Sequence, residues 1–540
     1  MSSLMHKPKL LGSLYAILCT ANVVSHTQRH ERRLERGRRD STNIDKRLIY
    51  GSNVWNICTI DNIDFVEATM HDNLFDTRRQ TTRATLRMVF QYMLPKELSM
   101  ISNTGKEYQF KVGMTDFVEA EIRKYLHMYE TLLEKHGTGF GLHEVHTELK
   151  NNIETGCNLP PPNVVILTLG ENPNNNEDVH KAVRMYYDDV GVDHSEKLYI
   201  VCDEAIFRKL MPLYHENQEI VLLLGGWHTS KIMCASLIRV FSGYGLFGLA
   251  AQLGVCYFDR LEKVIDYSAT CRVLELMWIA VRTAISLYLK TKNETLNDIP
   301  TSDNKVLRVW HLFFIWAGLW MSYKLGIRYG NFQMQHMNLI AFAPLFPVAG
   351  HYNYAESVTY FLSYIGRNQR LQKLLQYAPS INLTSSGHYF AFDEALERFG
   401  VKDVKRNLSS TLKSPEDLIS RIASVQEEKD RLNLLLTEYI GDETLKKTEH
   451  ILKSRKDVLW RLIYKLVEAF SASDPTSHEL FSGTTQNTED GFCRLFECYK
   501  IGEERLQDIY SQDIERSIPH STIGRRKRNI SILSFTEQKK

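Results

Sequence analysis

The stretch Leu198-Tyr-Ile-Val-Cys-Asp203 decides the fold. An unbroken apolar run ends in a carboxylate, and a second run, Ile220-Val-Leu-Leu-Leu-Gly-Gly-Trp-His228, ends in two glycines, a tryptophan and a histidine. A strand buried on both faces is a continuous aliphatic run, and α/β folds carry polar working groups just past the carboxyl ends of such strands. Between the two runs, residues 204–214 have length for a short helix with Ile206, Leu210 and Leu213 on its apolar face. The region therefore reads as strand, short helix, strand.

Upstream, Val54 to Ile63 reads as a buried strand, and Val66, Ala68 and Met70 alternate with Glu67 and Thr69 as in a half-exposed one. A third strand covers about 81–93. There Ala84, Leu86, Met88, Phe90 and Tyr92 take one side, and Arg83, Thr85, Arg87 and Gln91 the other, a period of two. Thr115 then caps a helix whose apolar residues Val118, Ile122, Tyr125, Leu126, Tyr129, Leu132 and Leu133 recur at helical spacing, and this helix is expected to cover the sheet. Pro160-Pro-Pro162 introduces Val164-Val-Ile-Leu-Thr-Leu169, and an Asn-rich turn leads to a helix at about 177–190. Three antiparallel strands, a helix, then strand, short helix and strand is the order of a ribonuclease-H-like α/β core with a mixed sheet.

From 229 to 380 the alternation disappears and apolar residues recur at helical spacing, as in Leu274, Met277, Val281, Ile285 and Tyr288. This block reads as an all-helical insertion. The expected organisation is an N-terminal helix and basic segment (1–50), the α/β core (51–228), the insertion (229–380), a return helix completing the core (381–408), a helical region (409–470) and a tail of linker, short helices and basic residues (471–540). The Ser/Asp/Pro/Thr-rich stretch 471–490 reads as the linker.

At 540 residues, with 43% hydrophobic and 24% charged side chains, the chain is long enough for several cores and ordinary enough in composition to fold throughout. A net charge of +2 excludes the long-range field of a strongly basic nucleic-acid binder but leaves room for local patches. Two occur, Arg29-His-Glu-Arg-Arg-Leu-Glu-Arg-Gly-Arg-Arg39 and Arg525-Arg-Lys-Arg528. Each suits a phosphate-facing or nuclear-import segment, or a solvated charged tail.

The nine cysteines are odd in number, scattered, and without a Cys-x-x-Cys pair. They read as reduced core residues in an intracellular, nuclear setting. The run Leu10 to Val24 has the look of a signal peptide but is interrupted by Thr20 and Asn22, which suits an amphipathic helix better. Val309 to Met321, 13 residues containing His311, is too short to span a bilayer, so a buried helix is expected and no membrane partner.

The proposed core order makes a demand on carboxylates: one on the first strand, one at the end of the fourth, and one on a later helix, together holding two divalent cations about a phosphodiester. The first strand offers Asp61, which shares a face with Trp55, Ile57 and Thr59. Asp203 closes the later strand, although an acid directly before a helix is also a common N-cap. The third carboxylate falls in Phe390-Ala-Phe-Asp-Glu-Ala-Leu-Glu-Arg-Phe399. On a regular helix Asp393 and Glu397 flank the core stripe and Glu394 projects away from it. Glu397 is therefore the expected catalytic group and Asp393 its helper, with Asp61, Asp203, Asp393 and Glu397 as ligands for Mg2+. His228, and His351, Asn353 and Tyr354 within Gly350-His-Tyr-Asn-Tyr354, are the expected contacts to DNA or another nucleic acid, by hydrogen bonding or stacking. A plain helix start would account equally for the last three.

At Asp61-Asn62, Asp203, Trp227-His228, Gly350 to Tyr354, Asp393 and Glu397 the chain resembles the largely fungal family called domain of unknown function 6589, from about residue 10 to past 470. The resemblance implies a transposon-derived protein with a ribonuclease-H-like DDE/D domain, acting as a metal-dependent nuclease or strand-transferase, or a catalytically inactive nucleic-acid-binding or protein-interaction scaffold of the same fold. The chain departs from the pattern at Gly225-Gly226, where relatives carry an acid, and at Phe399-Gly400. If the missing acid matters, this copy is inactive.

Overall fold

The structure is a computed structural model that describes residues 44–66, 81–99, 108–382, 389–401, 449–482 and 484–514. The run Leu10 to Val24, both basic clusters and most of 409–470 lie outside the described residues. In chain order the elements used below begin with β1 (Val54–Val66), β2 (Thr81–Met93), α1 (Asp116–His136), α2 (Leu142–Asn151), β3 (Asn163–Ile166), α3 (Asn176–Val190), β4 (Leu198–Cys202), α4 (Glu204–Glu216) and β5 (Ile220–Leu224). They continue with α5 (Gly226–Phe241), α6 (Tyr267–Lys292), α7 (Lys305–Tyr329), α8 (Phe332–Phe342), α9 (Tyr352–Arg367), α10 (Phe392–Ala395), α11 (Glu449–Ser471) and α12 (Glu489–Ile509). The chain divides into two units, one of 1–99, 161–223 and 392–444 and the other of 100–160, 224–391 and 445–540.

The first unit is α/β with a mixed five-stranded sheet in the order β3-β2-β1-β4-β5. β2 runs antiparallel to both β1 and β3, whereas β4 runs parallel to β1. One strand count changes. β1 continues unbroken from Val54 to Val66, so Val66 ends the first strand, and residues 67–70 lie outside the described residues. The third antiparallel strand is Asn163–Ile166, seen in the sequence as the run after the prolines.

The sheet is covered on both faces by residues of its own unit. On one face α3 buries Val179, Val183 and Tyr186. Its ends follow from local chemistry: Asn175 Oδ1 accepts from Glu177 N at 3.0 Å, and Gly191 takes the left-handed conformation at φ 63° that closes a helix. Tyr186 Oη donates to the Thr59 carbonyl at 2.6 Å, and the Arg87 guanidinium lies 4.3 Å from the centre of the same ring. Arg87 is fully buried and ion-paired with Asp189, and burial lowers its pKa.

On the other face the returning chain, α10 and a π-helical turn Leu396–Val401, lies against β1 and β2. Phe392 meets Phe90 edge-on at 5.7 Å. Gly400 lies close against the sheet there, where a Cβ would come within 2.9 Å of Leu86 Cδ2 and 3.0 Å of Met88 Cε.

The second unit is helical. α7 carries the expected buried run: Trp310, Phe313, Phe314 and Trp320 are all essentially inaccessible, and among the described residues no single helix is long and apolar enough to cross a membrane. α1 begins at Thr115, whose hydroxyl accepts from Val118 N, but it does not belong to the sheet's unit. It packs on α6, α7 and α8, where Tyr125 and Tyr129 meet Trp278 edge-on at 5.4 and 5.5 Å. The stretch 471–490, expected as linker, is anchored: Leu480 and Phe481 are buried, and Phe481 stacks on Trp310 at 5.9 Å. α12 likewise buries Phe492, Leu495 and Leu506.

Removing one member of a buried ion pair strands the other charge in the core. Asp189→Ala is therefore expected to destabilise the protein by roughly 3 kcal/mol, and the double substitution Arg87→Met, Asp189→Leu by clearly less. Urea unfolding of the three variants checks the order.

Candidate functional site

The site is built by register. The parallel ladder of β1 and β4 pairs Ile57 with Tyr199, Thr59 with Val201 and Ile60 with Cys202. The residues that follow this last pair are Asp61 and Asp203, and continuing the register with the Asp203 backbone still extended at φ −68°, ψ 169° sets them side by side. Neighbouring strands lie roughly 4.8 Å apart and paired residues share a face. The two aspartates singled out in the sequence are thus lateral neighbours where β4 ends.

Asp203 has local work as well. Its Oδ1 accepts from Ile206 N at 2.8 Å, which makes it the N-cap of α4. Asp61, 9% exposed, accepts from Asn62 N through its Oδ1 at 2.7 Å. Both bonds orient the carboxylates from the backbone.

The return segment adds the next acids, because α10 packs against β1 and β4. Asp393 and Glu394 are both buried to 2% exposure. Glu394, expected to point away, instead pairs with Arg398 Nε at 3.0 Å. Glu397, the expected catalytic group, is half-buried in the π-helical turn. The reason is geometric. Regular α-helix lasts only from Phe392 to Ala395, and the wider turn from Leu396 breaks the phase from which the faces were read.

Cys202, the last residue of β4 and fully buried, senses where these acids lie. Burial pushes its thiol well above the usual range, and the charges of Asp203, Asp61, Asp393 and Glu204 push it further. Asp393 is thus a return-segment carboxylate whose charge reaches Cys202 at the end of β4. Glu204, unremarked in the sequence reading, is 8% exposed and pairs with Arg208 Nε at 3.0 Å. Its signal was present: an acid next to Asp203 with an arginine four residues on. Glu394 gave no such signal on a regular wheel.

Among the described residues no group of three or more His, Cys, Asp or Glu is gathered closely enough to hold a metal by itself. Mg2+ commonly takes only one or two protein carboxylates, with water and substrate phosphate completing its shell. The Asp61–Asp203 pair, with Asp393 in electrostatic reach, fits that requirement.

The expected nucleic-acid contacts belong to the helical unit. His228 is half-buried in the first turn of α5, edge-on to Trp227 at 4.7 Å. Gly350 to Tyr354 is a helix start: Gly350 turns the chain at φ 74°, His351 stands at the N-cap position, and Asn353 and Tyr354 lie in the first turn of α9. Burial, with the charge of Arg239, lowers the His351 pKa to about 4, so its imidazole is neutral at pH 7. Tyr354 packs on Phe346 at 5.7 Å. Gly226 has a packing role too, since a Cβ there would lie 3.3 Å from Ala391 Cβ and 3.4 Å from Ile327 Cδ1.

The chain matches no family model, no curated protein and no solved structure. The site is accordingly read from its own geometry.

Two stability measurements follow. Asp203→Ala removes the cap and should cost about 1 kcal/mol, while Asp203→Asn, which can still accept from Ile206 N, should cost only a few tenths. Gly226→Asp should cost about 1 kcal/mol, because its Cβ would press on Ala391 at 3.3 Å, closer than ordinary contact. Denaturant midpoints of the three variants check this ranking.

Proposed function

We propose that the protein is a transposase-derived, ribonuclease-H-like enzyme that cleaves or joins nucleic-acid phosphodiesters. The observation that carries the reading is the placement of Asp61 beside Asp203 across the parallel β1–β4 ladder, with Asp393 brought to the same strands by the return segment. The strand order, with two antiparallel pairings on one side of β1 and a parallel pairing on the other, supports it.

In this reading Asp61 and Asp203 hold Mg2+ and Asp393 assists. Held there, Mg2+ would supply water activation and neutralisation of the charge that develops on the phosphoryl oxygens. The protein's part is orientation. The Asn62 and Ile206 amides fix one oxygen of each aspartate, and Arg208 and Arg398 balance the neighbouring Glu204 and Glu394. Buried like charges raise one another's cost, and a cation between them relieves it.

A second reading, a non-catalytic nucleic-acid-binding scaffold of the same fold, is favoured by one observation: the Asp203 carboxylate is already engaged as a helix cap.

Incubation of the purified full chain with supercoiled plasmid separates the two. Nicking that needs Mg2+, falls by about 100-fold or more in Asp61→Asn and Asp203→Asn, and falls further in Asp393→Asn than in Glu397→Gln is the expected result. Since Asp203→Asn keeps the cap, its loss of activity would not reflect unfolding. Plasmid retention in a gel without metal-dependent nicking would favour the scaffold, and neither binding nor nicking would overturn both readings.

A further inference from the structure

The helical unit contains a cavity of about 720 Å³ between the end of α1 and the outer face of α6, within the size range of small-molecule sites. Arg282, Ser286 and Lys290 line it from α6, and at intervals of four residues they share one helix face. Arg282 is only 1% exposed. Its Nη2 reaches the Leu126 carbonyl at 3.5 Å and Glu130 Oε1 at 3.6 Å, both at the outer limit of such contacts. Its Nε and Nη1, and the Ser286 hydroxyl, are buried with no hydrogen-bond partner.

Buried donors of this kind are costly unless something accepts from them. Burial lowers the Arg282 pKa to about 10 against the opposing effects of Glu130 and Tyr129, so the guanidinium is still charged at pH 7. His311, coupled to Arg282, is lowered to about 4 by burial and by that arginine. It is neutral at pH 7 and adds no positive charge to that of Arg282.

The exposed lining carries both signs, one lysine, Lys290, and three acids. Glu130 is 53% exposed, and Glu134 and Glu294 are exposed. Leu133, Leu287 and Leu296 supply apolar wall. A simple anion would leave the three acids unpaired, and a simple cation would leave Arg282, Lys290 and Ser286 without an acceptor.

We propose that this cavity binds a small zwitterion of the amino-acid or short-peptide class. On binding, the Arg282 and Ser286 side chains turn toward its carboxylate, which Lys290 also faces; its ammonium faces Glu130, Glu134 and Glu294, and its side chain lies against the leucines.

Isothermal titration calorimetry of the full chain tests this with leucine, leucyl-leucine, 4-methylpentanoate and 3-methylbutylamine. At least one of the two zwitterions should bind with a Kd of about 1 mM or tighter, and the carboxylate-only and amine-only probes about tenfold more weakly. Arg282→Met should reduce zwitterion binding about tenfold or more, with the circular dichroism spectrum and thermal midpoint maintained, and Glu134→Gln should weaken it severalfold. Absence of heat for both zwitterions up to about 10 mM overturns the proposal. So does 4-methylpentanoate binding as tightly as leucine, or undiminished affinity in folded Arg282→Met. Should Arg282→Met fail to fold, undiminished affinity in Glu134→Gln overturns it.

Discussion

The parallel pairing of β1 with β4 is the constraint on which the α/β unit depends. β1 is held on one side by the antiparallel β2 along its whole length, from Val54 opposite Met93 to Val66 opposite Thr81. On the other side β4 pairs from Tyr199 to Cys202 and then gives way to a helix. That termination turns a packed sheet into a place for polar groups. Up to Cys202 the ladder offers only apolar or backbone-satisfied residues, and at the next step it sets two aspartates side by side. A slip of one residue would turn Asp61 to the opposite face, so the register itself specifies the pair.

The acids accumulate because separate segments finish at this edge. β1 brings Asp61, the β4–α4 junction brings Asp203 and Glu204, and the return segment brings Asp393 and Glu394. Two of the five have arginines four residues on, Arg208 and Arg398. Cys202 at their centre is no sensor by design. It is a buried thiol whose pKa is raised first by burial and further by the neighbouring acids.

How much of this was legible depended on whether a residue's role was local. Thr115 and Asp203 are caps, satisfied within three residues, and the sequence shows a cap directly. The period-two residues of β2 face as read because a strand's alternation needs no knowledge of its partners. Glu397 was preferred over Asp393 because a uniform helix was assumed, and the π turn beginning at Leu396 removes that uniformity. α1 has the stripe of a sheet-covering helix, yet an apolar stripe does not name its partner. Trp278 on α6, far along the chain, supplies the aromatic surface it packs on. Residues 471–490 have the composition of a linker, and the two hydrophobic residues that anchor them, Leu480 and Phe481, are outnumbered by polar neighbours.

The sequence by itself determined the strand–helix–strand order around Asp203, the burial of the α7 run, and Asp61 and Asp203 as the residues to watch. Each rests on periodicity, hydropathy or a cap, which act over a few residues. Only the tertiary structure decided that β1 and β4 pair so as to bring Asp61 and Asp203 to one end of their ladder, that the return segment packs Asp393 against these strands, and that α1 belongs with the helices. Those outcomes depend on register between distant strands and on which apolar face finds which partner. Such choices are made by packing across the whole chain, and no local window of sequence contains them.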